Sequence, residues 1–509
     1  MYSRGQKGSV TVFLSLTCML FLALICSVIE SARMQGAKTQ TANIIGMGNV
    51  SLLSEFEPEL LERYEVFAVD GAYGSGGFQI KKVQEHLETF LSGNTTPNTE
   101  GISGLCFDPW NLDLTRTKID SYALLTDNKG EAFYQQAVAF MKQNMGLFAV
   151  EELMQYRDTV EEFRTSQKQY ENSQKENDGA LSALENEKQQ KIEVLESEAA
   201  ASAEAGEQTA IVPQETENPL KEIAKLRKKS ILELVAGDKK ISSKKVTARK
   251  LPSRGGLRKG TMKLEKKHSG VLSNVLFREY LIRYFPCFLN IGENTALDYQ
   301  LEYLLGGKKT DKDNLKYVVN RLLLLREGMN YLYCIGDPQI SSQANGLAAS
   351  LTGFLGIPAL TAATGQAILL AWAYGESLID VRILLDGGKI PVNKTADSWI
   401  LSIANLGQLA QILKNGAEKK QDGLSYAEYL RVLLHMGNLS SQKMRALDLI
   451  QMELQRNGGL PEFQAQNCIV AVQTSAAWNC RPVFLRLPAA VMGVRAHELT
   501  FSQNGSIGY

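Results

Sequence analysis

The hydrophobic pattern opens with one unbroken apolar run: residues 10–29 carry no charge, and the first ionisable side chain after them is Glu30. A helix rising about 1.5 Å per residue needs roughly twenty residues to cross a hydrocarbon core about 30 Å thick. The run therefore predicts a membrane-spanning helix. Beyond it, Met34, Ala37, Thr41, Ile44, Ile45, Gly48 and Leu52 recur three and four apart with no proline. That spacing predicts that the same helix continues out of the bilayer with an apolar stripe in need of a partner surface. Pro58 suits the first turn of a short following helix. Val66, Phe67, Ala68 and Val69, ending at Asp70, predict the first strand of a head, and Leu112, Leu114, Ile119, Tyr122, Leu124 and Leu125 predict further strands. Residues 129–148 return to helical spacing.

Further on, Leu153, Tyr156, Val160, Phe163, Tyr170, Leu181, Leu184 and Leu195 fall in one heptad register, interrupted by Gln167, Gln174, Lys188 and Lys191. A seam so broken predicts a long helical arm or imperfect coiled coil. Leu297, Tyr299, Leu301, Tyr303 and Leu305 alternate with Asp298, Gln300, Glu302 and Leu304, which predicts a largely half-buried strand, followed by a helix through Leu315, Val318, Val319, Leu322, Leu323 and Arg326. Residues 338–375 contain no charge, and 357–374 has nearly the length of a second span. Pro358, Gly365, Gln366 and the abundant alanine and threonine favour buried core helices instead, since Glu376, Asp380 and Arg382 continue the run amphipathically. Two more helices, at 425–436 and 441–456, precede a strand at 468–472 and an apolar stretch at 483–494.

The pattern as a whole predicts an α+β protein in four parts. These are an N-terminal membrane anchor with its continuing helix (1–56), a first α+β head segment (57–148), a charged helical arm with a flexible insertion (149–270), and a helix-rich α+β second head segment (271–509), the head as a whole holding a small mixed sheet. With 509 residues and 44% hydrophobic content the chain has room for more than one core and is not a disordered protein. Lysine plus arginine equals aspartate plus glutamate, 55 of each, so global charge points to no polyanionic partner. Locally the balance breaks: 151–218 carries 17 acidic and 6 basic residues, and 219–268 carries 4 acidic and 17 basic. Such blocks usually stay solvated, although Lys221 to Lys267 could make a weak polyanion contact.

Arg4 and Lys7 before the apolar run, against Arg33 and Lys38 after it, give a slight bias towards a cytoplasmic N-terminus and an extracytoplasmic main domain. The run reads as an anchor rather than a cleaved secretory signal, because Glu30, Ser31, Ala32 and Arg33 follow it without a small-x-small cleavage site. The seven cysteines show no CxxC spacing, and Cys18 and Cys26 lie inside the span. Cys468 and Cys480 could bridge if adjacent strands carried them; buried free thiols are the simpler expectation.

Candidate chemistry is sparse. Gly71, Gly74, Gly76 and Gly77 form a glycine-rich turn after a strand, yet Gly77 and Phe78 stand where a phosphate loop needs lysine and a hydroxyl, and Gln79 replaces the last glycine of a dinucleotide pattern. Ala72 and Gly74 replace the serines of an aspartate-serine metal motif based on Asp70. Gly306, Gly307 and Lys308 lack the first glycine of a phosphate loop, Glu302 standing there, and read as a strand-ending turn. His86, His268, His435 and His497 have no paired spacing, and no GxSxG elbow occurs. No catalytic, cofactor or metal residue is therefore assigned, and no cofactor or specific nucleic-acid partner is expected. Carboxylates brought together by folding leave no local signature, so a hydrolase built on Asp70, Glu302, Glu376 or Asp380 stays open as an alternative.

The stretches KGSVTVFLSL, IESARMQGAK, LLERYEVFAVDGAYGS, LDYQLEYLLGGK, NLKYVVNRLLLLREGMNYLY, ILLAWAYGESLIDVRILLDGGKIP and GLSYAEYLRVLL resemble an uncharacterised bacterial family of membrane-anchored envelope proteins, a domain of unknown function. The N-terminal forty residues also resemble the pseudopilins of Tad-type pilus systems, the TadE and TadG group. That resemblance implies cleavage after Gly8 and a glutamate five positions on, where this chain has Phe13. Together these readings imply a non-enzymatic, single-pass envelope protein whose partners are the lipid bilayer and other envelope or pilus-assembly proteins.

Overall fold

A computed structural model of the chain describes residues 6–95, 108–145, 147–204, 218–248, 250–415, 422–491, 493–495 and 497–509. Cys106 and the acidic-to-basic junction at 205–217 lie outside the described residues, as do the side chains of Leu153 and Tyr156. The chain divides into two compact units that interleave along the sequence: Met1–Phe140 with Ala248–His268 and Ile450–Tyr509, and Met141–Thr247 with Ser269–Leu449. This differs from the linear division at 56, 148 and 270. The reason is strand pairing, which returns the C-terminal residues to the N-terminal sheet.

Six strands are described: β1 (Val69–Asp70), β2 (Leu112–Leu124), β3 (Lys389–Ile390), β4 (Leu424–Ser425), β5 (Cys468–Cys480) and β6 (Leu499–Gly508). In the first unit β5 is central, with β2 along one edge and β1 and β6 sharing the other. Every one of these pairings is antiparallel, where a mixed sheet was expected. The 66–70 strand shrinks to two residues, and 112–125 forms one long strand rather than several. Cys468 and Cys480 sit at opposite ends of β5 as free thiols. Twelve steps of about 3.3 Å separate them by roughly 40 Å, so they cannot bridge each other.

One helix, Gln6–Leu53, runs from the apolar leader into this unit without a break. Its leading half is exposed, with Val10, Phe13, Leu16, Leu20, Leu24 and Val28 all open on its surface, while Ala37, Ile44, Ile45, Leu52 and Leu53 are buried. The predicted stripe thus finds its partner in Leu87 and Leu91 of the helix Ile80–Thr95 and in Ile119, Val472, Ala476 and Trp478 of the sheet. Gly48 permits the close approach, since a Cβ there would meet Leu91 Cδ2 at 2.5 Å. Among the described residues this is the one helix long and apolar enough to cross a membrane.

The second unit is helical apart from the short β3–β4 ribbon. Its centre is the helix Pro358–Leu385, whose residues from Ile368 to Leu385 are almost all buried. The uncharged stretch at 357–374 is accordingly part of a core helix. Around it pack Asp311–Gly336, Pro338–Thr352 and the arm Leu147–Glu204. The heptad seam of the arm is spent inside the chain: Val160, Phe163 and Tyr170 are buried, and Leu181, Leu184 and Leu195 pack against Leu355, Ile357 and Leu360.

Two expectations are corrected here. Residues 297–305 do not form a strand: Gln300–Gly306 is a helix closed by Gly307 in the left-handed region. Gln300, Leu301, Glu302, Tyr303 and Leu304 are buried in succession, so the apolar alternation did not reflect one wet face and one dry face. Nor is the 239–270 segment a free insertion. Lys244 O accepts the N–H of Asp311 and Lys309 O that of Val246 in the second unit, and Tyr122 O accepts from Thr261 and Met262 in the first.

Candidate functional site

A fully buried grouping of four charged side chains grows from two helices of the second unit. Thr310 caps Asp311–Gly336, its hydroxyl accepting from Asp313 N, and on this helix Arg326 and Asn330 stand one turn apart. Pro358 opens the neighbouring core helix, which carries Glu376, Ser377 and Asp380, again with the carboxylates one turn apart. Lys394 enters from the segment that follows β3.

Arg326 Nε donates to Asp380 Oδ2 at 2.9 Å, and one terminal nitrogen donates to the carbonyls of Pro391 and Val392 and to the Tyr429 hydroxyl at 2.9–3.0 Å. Its other terminal nitrogen donates to Asn330 Oδ1, whose amide nitrogen in turn donates to Asp380 Oδ2 and Ser377 Oγ. Lys394 Nζ lies 2.6 Å from Glu376 Oε1 and 2.7 Å from Asp380 Oδ1, and it also donates to Ser398 O. The second Glu376 oxygen accepts from Leu401 N at 2.8 Å. All four charged side chains are fully buried, and two cations face two carboxylates. Burial works against the Asp380 charge, but Lys394 and Arg326 together hold its carboxyl below the usual range. For Glu376 burial prevails, assisted by the Asp380 charge, and the carboxyl is raised despite Lys394.

Of the four carboxylates considered from sequence, the fold brings together Glu376 and Asp380 and leaves the others apart. Asp70 caps the glycine turn, its two oxygens accepting from Ala72 N and Gly74 N at 3.0 Å. Ser75 N goes to Ala72 O and Tyr73 N to Asp70 O, so the amides of residues 72–75 are engaged within the turn. Glu302 is enclosed elsewhere in the second unit, accepting from Phe288 N and from the Tyr426 hydroxyl. Burial pushes its carboxyl up to about 7. Gly307 and Lys308 end a helix, Lys308 N donating to Asn314 Oδ1.

His86 stacks on Tyr73 and reaches Glu55, whereas His435 is enclosed and burial lowers its pKa to about 4. Among the described residues no three His, Cys, Asp or Glu side chains are placed to hold a metal ion. The basic block is partly committed: Lys244 pairs with Asp298 at 2.6 Å and Lys239 with Asp386 at 2.9 Å. Arg326, Asn330 and Lys394 were not singled out from sequence as cluster members. The usable signal was Arg326 falling within the apolar stripe of its own helix, a position where a cation must find a buried partner.

Comparison with the curated proteins and with the solved structures finds no match to this chain. A family model does match, over residues 211–480, more than half of the sequence. That span contains Arg326, Glu376, Asp380 and Lys394, and on it the chain belongs to the family of unknown function DUF5702.

Proposed function

We propose that this protein is a non-enzymatic, single-pass component of the cell envelope, anchored by residues 10–29 with its N-terminus in the cytoplasm and its folded units outside. One observation carries the reading: a single helix leaves its first half apolar and exposed, while its second half is built into the core of a folded unit. An exposed apolar rod of this length has a low-energy environment in a bilayer and none in water. The same unbroken helix carries the first unit immediately beyond the anchor. Membrane fractionation with an alkaline wash, combined with protease treatment of intact cells, tests this. The head is expected to be digested from outside while a fragment holding residues 10–29 stays in the membrane; recovery of the full chain in the soluble fraction would refute it.

A helix half free and half clamped on an antiparallel sheet is a pilin-like arrangement, which supports the finer reading of an accessory part of a Tad-like pilus or secretion apparatus. This support is architectural analogy. The mass of the membrane-extracted protein tests it, since cutting after Gly8 would leave Ser9 as the first residue. The hydrolase alternative draws no support from Glu376 and Asp380, because both are ion-paired and out of reach of water. Their arrangement favours a clamp that locks two helices and the 391–401 segment together.

A further inference from the structure

We propose that the connection between β5 and β6 is a second membrane contact, lying in the phospholipid interface beside the point where the leading helix emerges. The inference rests on the anchor reading above and adds where the head touches lipid. Glu30 is the first ionisable residue after the apolar run, and its carboxylate accepts the N–H groups of Val483 at 3.1 Å and Phe484 at 2.7 Å. Arg33, ion-paired to Glu30, donates to the carbonyls of Arg481 and Trp110 at 2.7 Å. Two buried charges thus tie this connection to the level at which the span ends. The direction of the sheet agrees. Gln503 donates to Lys38 O and Thr41, and Asn49 pairs with Thr474, so the far ends of β5 and β6 climb away with the helix. The β5–β6 connection is therefore on the edge of the first unit nearest the apolar half.

Its composition fits a lipid partner. Val491 is 59% and Val494 61% exposed, on and just after the short helix Arg486–Val491. Arg486 and Arg495 flank them and are exposed too. Valines set among arginines suit a segment whose apolar side chains enter the acyl boundary while guanidinium groups stay among the phosphates. Facing water, the same side chains would form an uncovered apolar patch.

The test uses the full chain reconstituted in vesicles of phosphatidylcholine with a minority of phosphatidylglycerol. A nitroxide is attached at Val494→Cys in a chain whose Cys18, Cys26 and Cys106 are replaced by serine. Its collision rates with oxygen, which concentrates in lipid, and with a water-soluble nickel chelate are compared with two references. Native Cys18, labelled with Cys26 and Cys106 replaced, reports the span. Phe67→Cys reports the opposite end of the unit, where Phe67 stacks on Tyr509 and Tyr509 donates to Leu53 O. The label at 494 is expected to favour oxygen over nickel as the Cys18 label does, at shallower depth, while the label at 67 favours nickel. A 494 label that matches 67 while Cys18 reads as lipid overturns this inference and leaves the anchor standing. A Cys18 label that itself reads as water overturns both.

Discussion

Replacing Lys394 by methionine tests whether the charge cluster is a clamp. The substitution keeps most of the apolar stem and removes the ammonium that lies 2.6 Å from Glu376 and 2.7 Å from Asp380. Asp380 retains Arg326, but Glu376 is left as a buried carboxylate with only the backbone N–H groups of Ile400 and Leu401. Breaking a buried pair from one side costs roughly 3–5 kcal/mol, a large part of the 5–15 kcal/mol typical of a folded domain. The loss has a direction in pH. The Glu376 carboxyl is already raised above 4.5, chiefly by burial. A group raised in the folded state contributes stability that is fully present below the unfolded value and lost as pH rises through the folded one. Without Lys394 the folded value climbs further, so the deficit against wild type is smaller near pH 5 than near pH 8. Adding Glu376→Gln removes the stranded charge and recovers part of the loss. Recovery is incomplete by about 1–3 kcal/mol, because the amide cannot accept from both N–H groups. Denaturant unfolding of the detergent-solubilised chain gives the cycle. Tryptophan emission follows it, Trp372 and Trp399 both donating to Leu401 O beside the cluster. A single variant within about 0.5 kcal/mol of wild type, or strictly additive losses in the double variant, would refute the clamp.

Glu302→Gln removes an ionisation whose folded pKa is near 7 against 4.5 unfolded. Wild type should therefore lose roughly 3 kcal/mol relative to the variant between pH 4.5 and pH 8, seen as converging and diverging unfolding midpoints across that window. Gly328→Ala would place a Cβ 2.8 Å from the backbone of Ser166 and Gln167, forcing the arm off the helix Asp311–Gly336; a loss of about 1–3 kcal/mol by the same unfolding assay is expected. Glu30→Ala strands Arg33 and removes the acceptor for Val483 and Phe484. Trypsin cleavage at Arg486 should then quicken several-fold while the Lys38 region stays resistant.

How much of this was legible in the sequence follows from how each signal arises. The leading helix was readable because both of its halves write the same period: residues 10–29 through sheer apolarity, and Ala37, Ile44, Ile45 and Leu52 through a stripe that the sheet then covers. The strand expected at 297–305 failed because both faces of that segment are buried, Glu302 and Gln300 included, so polarity no longer marked a solvent side. The charge cluster was half legible for a related reason. Glu376 and Asp380 stand out as charges inside an apolar run, but what neutralises them is Arg326, 54 residues before Asp380, and Lys394, 18 residues after Glu376. No local pattern couples such distances. The same limit governs the β5–β6 connection. Its valines and arginines look like an ordinary apolar tail until Glu30, 453 residues away from Val483, binds it to the foot of the head. A carboxylate placed immediately after an apolar run would normally mark only where that run ends. Here it is a buried acceptor for two backbone amides and an ion-pair partner of Arg33, so the residue that ends the apolar run also fixes which edge of the first unit lies beside that run.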